Sequence, residues 1–287
     1  MAAKLGLVLH SHREEARQLA TEAVAWCGEA VDVVLPPEDA ELIGRPDLAV
    51  AEEHFAAGLD ACLSLGGDGT MLRATQLVSA HDVAILGVNV GRLGYLTEVD
   101  PEHMIEALDQ WVAGDLGIEE RMLVEVTTDK PGMESFIGYA LNEAVVYRRE
   151  SGRTIDVVSA IDDRQFSRYL ADGIIVATPT GSTAYSLSAG GPIVEPDFRA
   201  MLLTPVAAHM VFNRSMVLAP TTRVTLTVQG YRGAALSLDG RSVLDLDPGQ
   251  SVTCRGSERT AKLLVRGDRD FHSVLKTKFR LDDEECL

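Results

Sequence analysis

Apolar residues come as unbroken short runs early in the chain and as alternating positions later, and this change of texture divides it in two. Residues 4 to 9 (KLGLVL) read as a buried strand, and 13 to 27 carry the spacing of an amphipathic helix that ends at Gly28. Val31 to Leu35, Ala61 to Leu65 and Val83 to Val90 are further apolar strands, with a helical stretch from Met71 to Ser79 between the last two. Strands alternating with helices predict a parallel sheet. Asp100-Pro101 places an N-cap before a proline at the first helical position and predicts a helix to about Val112, so Gly114 and Gly117 mark a domain boundary.

Beyond residue 120 the runs are 122 to 128, 136 to 148, 154 to 161, 164 to 170, 173 to 178, 215 to 219, 222 to 229, 234 to 239, 242 to 246, 250 to 255 and 261 to 266. Turn pairs such as Asp162-Asp163, Asp239-Gly240 and Pro248-Gly249 separate many of them, which predicts an all-β, sandwich-like domain. The expected organisation is an α/β N-terminal domain over 1–119 and a β-rich C-terminal domain over 120–267. The amphipathic tail from Phe271 to Leu281 reads as helical or extended, and 268–287 is expected to pack back on the first domain.

Composition narrows the function classes. A chain of 287 residues with 46% hydrophobic content has enough apolar material for two moderate cores. The formal charge of −17 argues against a nucleic-acid partner, whose phosphates demand clustered Lys and Arg. It also means that a phosphorylated substrate needs local compensation from backbone N–H groups, a divalent cation and arginines such as Arg73 and Arg92. The first 15 residues hold no signal-peptide pattern and no later run reaches bilayer-spanning length, so a soluble, cytoplasmic protein without a membrane partner is expected. The cysteines at 27, 62, 254 and 286 form no Cys-x-x-Cys pair, and His10 and His12 belong to no metal-ligand spacing, so no metal ligands are assigned.

The densest chemical signal is Gly66-Gly67-Asp68-Gly69-Thr70 between an apolar strand and a helix. Glycines let a backbone approach a bulky anion, and the helix that follows points unpaired N–H groups at it, which makes Gly66, Gly67, Gly69 and Thr70 a candidate phosphate loop. An ordinary tight turn has the same letters. Asp68 is anomalous there, because a carboxylate repels phosphate unless it takes a proton or helps hold a metal ion, and this suggests phosphoryl transfer.

Gly87 to Tyr95 (GVNVGRLGY) is a second glycine-spaced turn, a structural loop or a place where Tyr95 stacks on a base. It does not carry the G-x-G-x-x-G dinucleotide fingerprint. Asn142-Glu143 interrupts a strand-like run, and an amide beside a carboxylate can bond two vicinal hydroxyls of a ribose or can be an exposed strand position. From Ala171 to Pro192 an apolar strand enters a turn crowded with hydroxyls and then a short helix ended by Gly190 and Gly191, a polar-lined pocket. Without glycine two before Ser186 or Ser188 it is no nucleophile elbow, and the chain lacks a G-x-x-x-x-G-K-[ST] loop.

GGDGT at 66–70, GVNVGRLGYL at 87–96, LNE at 141–143, DGIIVATPTGSTAYSLSAGGPI at 172–193 and SLDG at 237–240 together resemble the NAD kinases, in the family's order and over most of the chain. GGDGT alone is shared with diacylglycerol and sphingosine lipid kinases; the GSTAYSLSAGG segment separates the NAD kinases from them. A lipid kinase would need an apolar or membrane-binding surface. A non-catalytic NAD(P)-binding sensor would keep the pocket without the chemistry.

The resemblance implies an α/β domain and a β-rich domain with NAD between them, Mg²⁺ dependence and a homo-oligomer, dimer or tetramer. It implies transfer of a terminal phosphoryl group from ATP or inorganic polyphosphate to the 2′-hydroxyl of the adenosine ribose of NAD, giving NADP. Asp68 would be the general base. Gly69 and Tyr95 would contribute to the NAD site, Asn142 and Glu143 would hold ribose hydroxyls, and Thr183, Ala184, Tyr185, Ser186, Leu187 and Ser188 would line the adenosine pocket. Asp172 would contact the nicotinamide half, and Arg73 and Arg153 fall where the family often places a cation. Arg241 stands where many relatives carry Gln and would favour an anionic group.

Overall fold

The computed structural model describes residues 3–91, 94–128, 135–150, 152–210, 212–267 and 270–281; Arg92 and Cys286 lie outside them. The chain forms two compact units, Met1–Glu120 with Ala261–Leu287, and Arg121–Thr260.

The first unit alternates β1 (Ala3–Leu9), α1 (Glu14–Cys27), β2 (Val31–Val34), short α2 (Pro37–Leu42) and α3 (Glu52–Phe55), β3 (Ala61–Gly66), α4 (Asp68–Val78), β4 (Ala84–Asn89) and α5 (Met104–Ala113). Its strands run parallel in the order β2-β1-β3-β4, as the alternating pattern predicts. Leu5, Leu7, Leu9, Leu63, Leu65 and Leu86 share one core with Ala16 and Ala20 of α1 and Ala107 and Leu108 of α5. The opposite face is covered too. A Cβ on Gly6 would stand 2.6 Å from the ring of Phe55, and one on Gly87 would stand 2.7 Å from Met71 Sδ of α4. With both faces covered, β1, β3 and β4 read as largely apolar runs, while the edge strand β2 carries the exposed Asp32.

The chain continues with β5 (Gly117–Thr127), β6 (Ile137–Ala140), β7 (Glu143–Arg148), β8 (Ile155–Ile161), β9 (Arg164–Ala171), β10 (Gly173–Ala177), α6 (Tyr185–Ser188), β11 (Met201–Val206), β12 (Met216–Leu218), β13 (Val224–Val228), β14 (Ala234–Leu238), β15 (Arg241–Leu246) and β16 (Ser251–Val265). One antiparallel sheet runs β12-β11-β10-β7-β14-β15, and a second brings the early part of β16 beside β13, β8 and β9. Val157, Tyr169 and Leu226 of the second sheet share a core with Val146, Ile174 and Leu236 of the first, the expected sandwich. The outer face of the six-stranded sheet is capped as well, with Val145, Ile175, Ala177 and Leu202 packed against Ala189 and Val194.

Several boundaries differ from the sequence expectation for identifiable reasons. The helix after the glycine loop starts at Asp68, with Gly67 as N-cap, so the DGT triplet is the helix's first turn rather than a loop. Asp100 makes no side-chain cap; Pro101–His103 is a 3₁₀ turn ahead of α5. The run 136–148 is broken into β6 and β7 at Leu141-Asn142. Runs 250–255 and 261–266 are one strand, because Gly256 passes close to Pro220, its N–H donating to the Pro220 carbonyl at 2.9 Å. Residues 261–267 lie in the first unit, not the second, because Lys262–Leu264 pair parallel with Ala84–Leu86 of β4. Strand β11 carries Pro205, which hid it; β12 pairs only with Met201–Leu203, so no neighbour on that side requires the missing N–H. The tail forms α7 (Phe271–Phe279), N-capped by Asp270 through the Ser273 N–H. Among the described residues no helix is long and apolar enough to cross a membrane.

Candidate active site

In the first unit the chemistry gathers beyond the carboxyl ends of β1, β3 and β4, where parallel sheets leave a crevice. A cavity of about 480 Å³ opens there, lined by His10 and Arg13 after β1, Gly67, Asp68 and Gly69 after β3, Gly94 after β4, and Lys278 of α7. Gly66 is glycine for packing, since a Cβ would lie 2.0 Å from Thr70 Oγ1. Gly67 and Gly69 are different. Neither has a positive φ, and a Cβ on either would meet nothing within 4 Å, so the backbone there borders open space.

Asp68 is fixed by backbone. Its Oδ2 accepts the Tyr95 N–H at 3.0 Å and its Oδ1 accepts the Leu96 N–H at 3.0 Å. A Cβ on Gly94 would come within 2.1 Å of Oδ1, which accounts for a glycine at that place. The carboxylate is therefore held in one orientation, yet its side chain remains 32% exposed to the cavity. It is the one acidic side chain among the described residues lining that space.

Arg73 also lines the cavity, but its charge is largely committed. Nη1 bonds Asp39 at 2.9 Å and the Leu9 carbonyl at 3.3 Å. Asp39 is 1% exposed and also accepts the Leu9 N–H, while burial pushes its carboxyl above the usual range against the pull of Arg73. Tyr95 is half-buried, its ring tilted against Phe271 at 6.3 Å, with the Lys278 ammonium 4.3 Å above it. Burial, then Asp68, raises its phenol pKa.

In the second unit the break between β6 and β7 is built around Asp239. Its carboxylate accepts the N–H groups of Leu141 at 2.9 Å, Asn142 at 2.8 Å and Glu143 at 3.1 Å, while its own N–H donates to the Glu143 carbonyl. Thr178, leaving β10, donates its hydroxyl to the Leu141 carbonyl at 2.5 Å and its N–H to the Asn142 carbonyl at 2.9 Å. Gly181 lies directly on this corner, since a Cβ there would stand 2.0 Å from the Asn142 carbonyl oxygen. Asn142 and Glu143 are thus a buried corner, 9% and 7% exposed, and not an exposed strand position.

Glu143 accepts the Tyr185 N–H, yet its Oε2 is buried with no partner among the described residues. Burial, reinforced by Asp239, pushes its carboxyl from the ordinary 4.5 up to about 7. With the folded-state value raised, this group's contribution to stability is full below pH 4.5 and is lost as pH rises through about 7. Glu143→Gln removes that loss. At pH 8 the variant should exceed wild type by on the order of 3 kcal/mol in urea denaturation, the gap shrinking as pH falls from about 7 and closing below 4.5; a gap independent of pH would contradict the assignment.

The remaining expected residues divide. Thr183, Ala184 and Leu187 are half-buried beside the corner, and Tyr185 and Ser188 are exposed. The Ser186 hydroxyl faces inward to Thr204 at 3.1 Å, and Ser182 holds Val194 through both its N–H and its carbonyl. Asp172 stands at the opposite end of β10 from Thr178, paired with Arg148 at 3.1 Å, and Arg153 pairs with Glu150 at 3.7 Å on the surface nearby. The fold does not bring these two to the Asn142-Glu143 corner within the unit. Arg241 opens β15 and is exposed. Sequence reasoning read Asp239 as a turn residue and as part of the SLDG segment, without a role of its own, and passed over Arg13 and Lys278. Arg13 was findable, since it sits at the N-cap of α1 in the turn after a strand whose carboxyl end borders the glycine loop.

Comparison with known proteins agrees with the geometry. The model of the ATP-NAD kinase N-terminal domain matches residues 5–116, and that of the ATP-NAD kinase C-terminal domain matches residues 141–266. An NAD kinase of Heliobacterium modesticaldum is 38% identical over 279 residues, covering 96% of this chain and 98% of its own. One of Nocardia farcinica is 44% identical over 211 residues, covering 72% and 65%. Among solved structures, an NAD kinase from Archaeoglobus fulgidus in complex with ATP superposes with a TM-score of 0.71 at 27% identity, covering 96% of this chain and 99% of that one. Yeast NADH kinase complexed with NADH shares the fold, with a TM-score of 0.90 at 24% identity, covering 98% and 89%.

Proposed function

The chain belongs to the NAD kinase family, and from that premise we propose that it transfers a terminal phosphoryl group from ATP or inorganic polyphosphate to the 2′-hydroxyl of the adenosine ribose of NAD. The observation that carries this reading is Asp68: a carboxylate oriented by two backbone N–H groups at the start of α4, flanked by two glycines that face open space. Asp68 takes the proton of the attacking hydroxyl. A positioned base of this kind contributes about 10² to 10⁴ in rate. The N–H groups of the first turn of α4 receive the donor phosphates.

In the second unit the unpartnered Glu143 Oε2 and the Asn142 amide suit the two hydroxyls of a ribose, one accepting and the other able to donate or accept. Thr183, Ala184, Tyr185, Leu187 and Ser188 shape the adenosine side, and the inward hydroxyl of Ser186 braces them. Tyr95, Arg73, Asp172 and Arg153 belong to the same proposal as NAD contacts. Arg73 acts there mainly through its hold on Asp39 and β1.

Among the described residues no cluster of three or more His, Cys, Asp or Glu could hold a metal by itself. One exposed carboxylate in a phosphate cavity nevertheless fits Mg²⁺, which takes one or two carboxylates and fills its shell with phosphate oxygens and water. Phosphate oxygens and water would hold most of its shell beside Asp68, whose carboxylate stays available for the proton, and the ion would offset phosphate charge. A cytoplasmic location and a homo-oligomeric state belong to this proposal on the strength of the family resemblance.

The test is NADP formation by purified protein from NAD and Mg²⁺, with ATP and polyphosphate in separate reactions. Product is expected with at least one donor, and EDTA should abolish it. Absence of product with both donors, despite NAD binding by calorimetry, would replace the kinase reading by that of a sensor.

A further inference from the structure

The cavity of the first unit contains a charge that neither the glycine loop nor its flanking strands supply. Lys278 lies in the last turn of α7, where a cation is favoured by the unpaired carbonyls of the helix end. Its ammonium sits 4.0 Å from Asp68 Oδ2 and 4.3 Å from the centre of the Tyr95 ring, and it lines the same space as Gly67 and Gly69. The residue is exposed at the helix end, but its side chain, folded over Tyr95, is only 28% exposed. The π face of Tyr95 attracts the cation, and that ring is in turn packed against Phe271 of the same helix.

The neighbouring cations are differently disposed. The Arg73 guanidinium is spent on Asp39 and the Leu9 carbonyl. Arg13 is pressed close to Gly91, where a Cβ would meet its guanidinium. His10, whose pKa is lowered by burial and then by Arg13 and His12, accepts the His12 N–H on its Nδ1 at 3.2 Å. Among the described residues lining the cavity, Lys278 is the cation set beside the Asp68 carboxylate.

We propose that Lys278 is a catalytic residue that contacts the transferring phosphoryl group and offsets its repulsion by Asp68. The proposal rests on the kinase reading. In the transfer, the bond from the terminal phosphorus to its bridging oxygen breaks, and the leaving oxygen keeps the electron pair. The acceptor hydroxyl oxygen forms the new bond to phosphorus and its proton passes to Asp68. Throughout, the transferring group carries negative charge on its non-bridging oxygens, beside a carboxylate, in a protein of net charge −17. A fixed ammonium there stabilises that charge without reorganising. Its position on the last helix makes the C-terminal segment part of the catalytic apparatus rather than a packing element.

The test compares wild type, Lys278→Met and Lys278→Arg. Methionine keeps an unbranched stem over Tyr95, so packing is retained while the charge is lost. Lys278→Met is expected to lower kcat by on the order of 10²-fold with NAD affinity and melting temperature unchanged, and Lys278→Arg to recover most of the rate. Binding of inorganic tripolyphosphate, measured by calorimetry without NAD, should weaken about tenfold in Lys278→Met. Wild-type kcat and wild-type tripolyphosphate affinity in that variant would overturn the proposal. So would a fall in kcat matched by losses of NAD affinity and melting temperature, the mark of a packing role. If wild type forms no NADP, the kinase reading fails, and the tripolyphosphate comparison still decides whether Lys278 is a phosphate contact.

Discussion

Replacing Asp68 by asparagine is expected to lower kcat by at least about 10²-fold while leaving NAD affinity by calorimetry unaltered. The amide keeps one carbonyl oxygen but cannot take the proton of the acceptor hydroxyl. It also presents an NH₂ where the carboxylate now accepts a second N–H, so either Tyr95 or Leu96 loses its acceptor. That loss costs about 1–3 kcal/mol where the donor is buried. The melting temperature should fall slightly, and the rate far more than so small a change in stability can account for. Turnover near the wild-type value would remove Asp68 from the role of base and leave it as the tether of Tyr95 and Leu96.

The α/β half was legible because its physics is local. Strands β1, β3 and β4 are covered on both faces, so each shows as a largely apolar run, and the glycine loop falls at a carboxyl end as parallel topology requires. What the letters hid was long-range. Asp68 looked like a loop residue, yet it opens a helix and is oriented by N–H groups 27 and 28 residues further on. Pro205 concealed β11 because proline counts against a strand unless one knows that its neighbour β12 stops short of it. Lys278 reaches Asp68 from across the sequence, and no spacing rule connects positions so far apart. Asp172 and Thr178 sit in one continuous motif, but a five-residue strand separates them by its whole length. A motif contiguous in sequence is therefore not one site in space.

Asp239 illustrates the same point energetically, and its removal should be the most destabilising substitution in the second unit. Asp239→Ala strips the acceptor from three backbone N–H groups at once, those of Leu141, Asn142 and Glu143. Each buried donor left unsatisfied costs about 1–3 kcal/mol. The residue also has φ of 48°, where alanine pays about 1–2 kcal/mol that aspartate in part avoids. Relief of the repulsion on Glu143 works the other way, but Asp239 is one of two causes of that shift and the lesser of them. The net loss should be at least about 3 kcal/mol, a large part of the 5–15 kcal/mol that holds a typical domain together. Urea denaturation can apportion it. Asp239→Gly removes the carboxylate without the strain and should be about 1 kcal/mol less damaging than alanine. Asp239→Asn retains an oxygen for Asn142 and Glu143, tolerates the positive φ, and should be the mildest of the three. An alanine variant with the wild-type midpoint would mean that the corner is held by Thr178 and Gly181 alone, and the Asn142-Glu143 geometry would then owe nothing to Asp239.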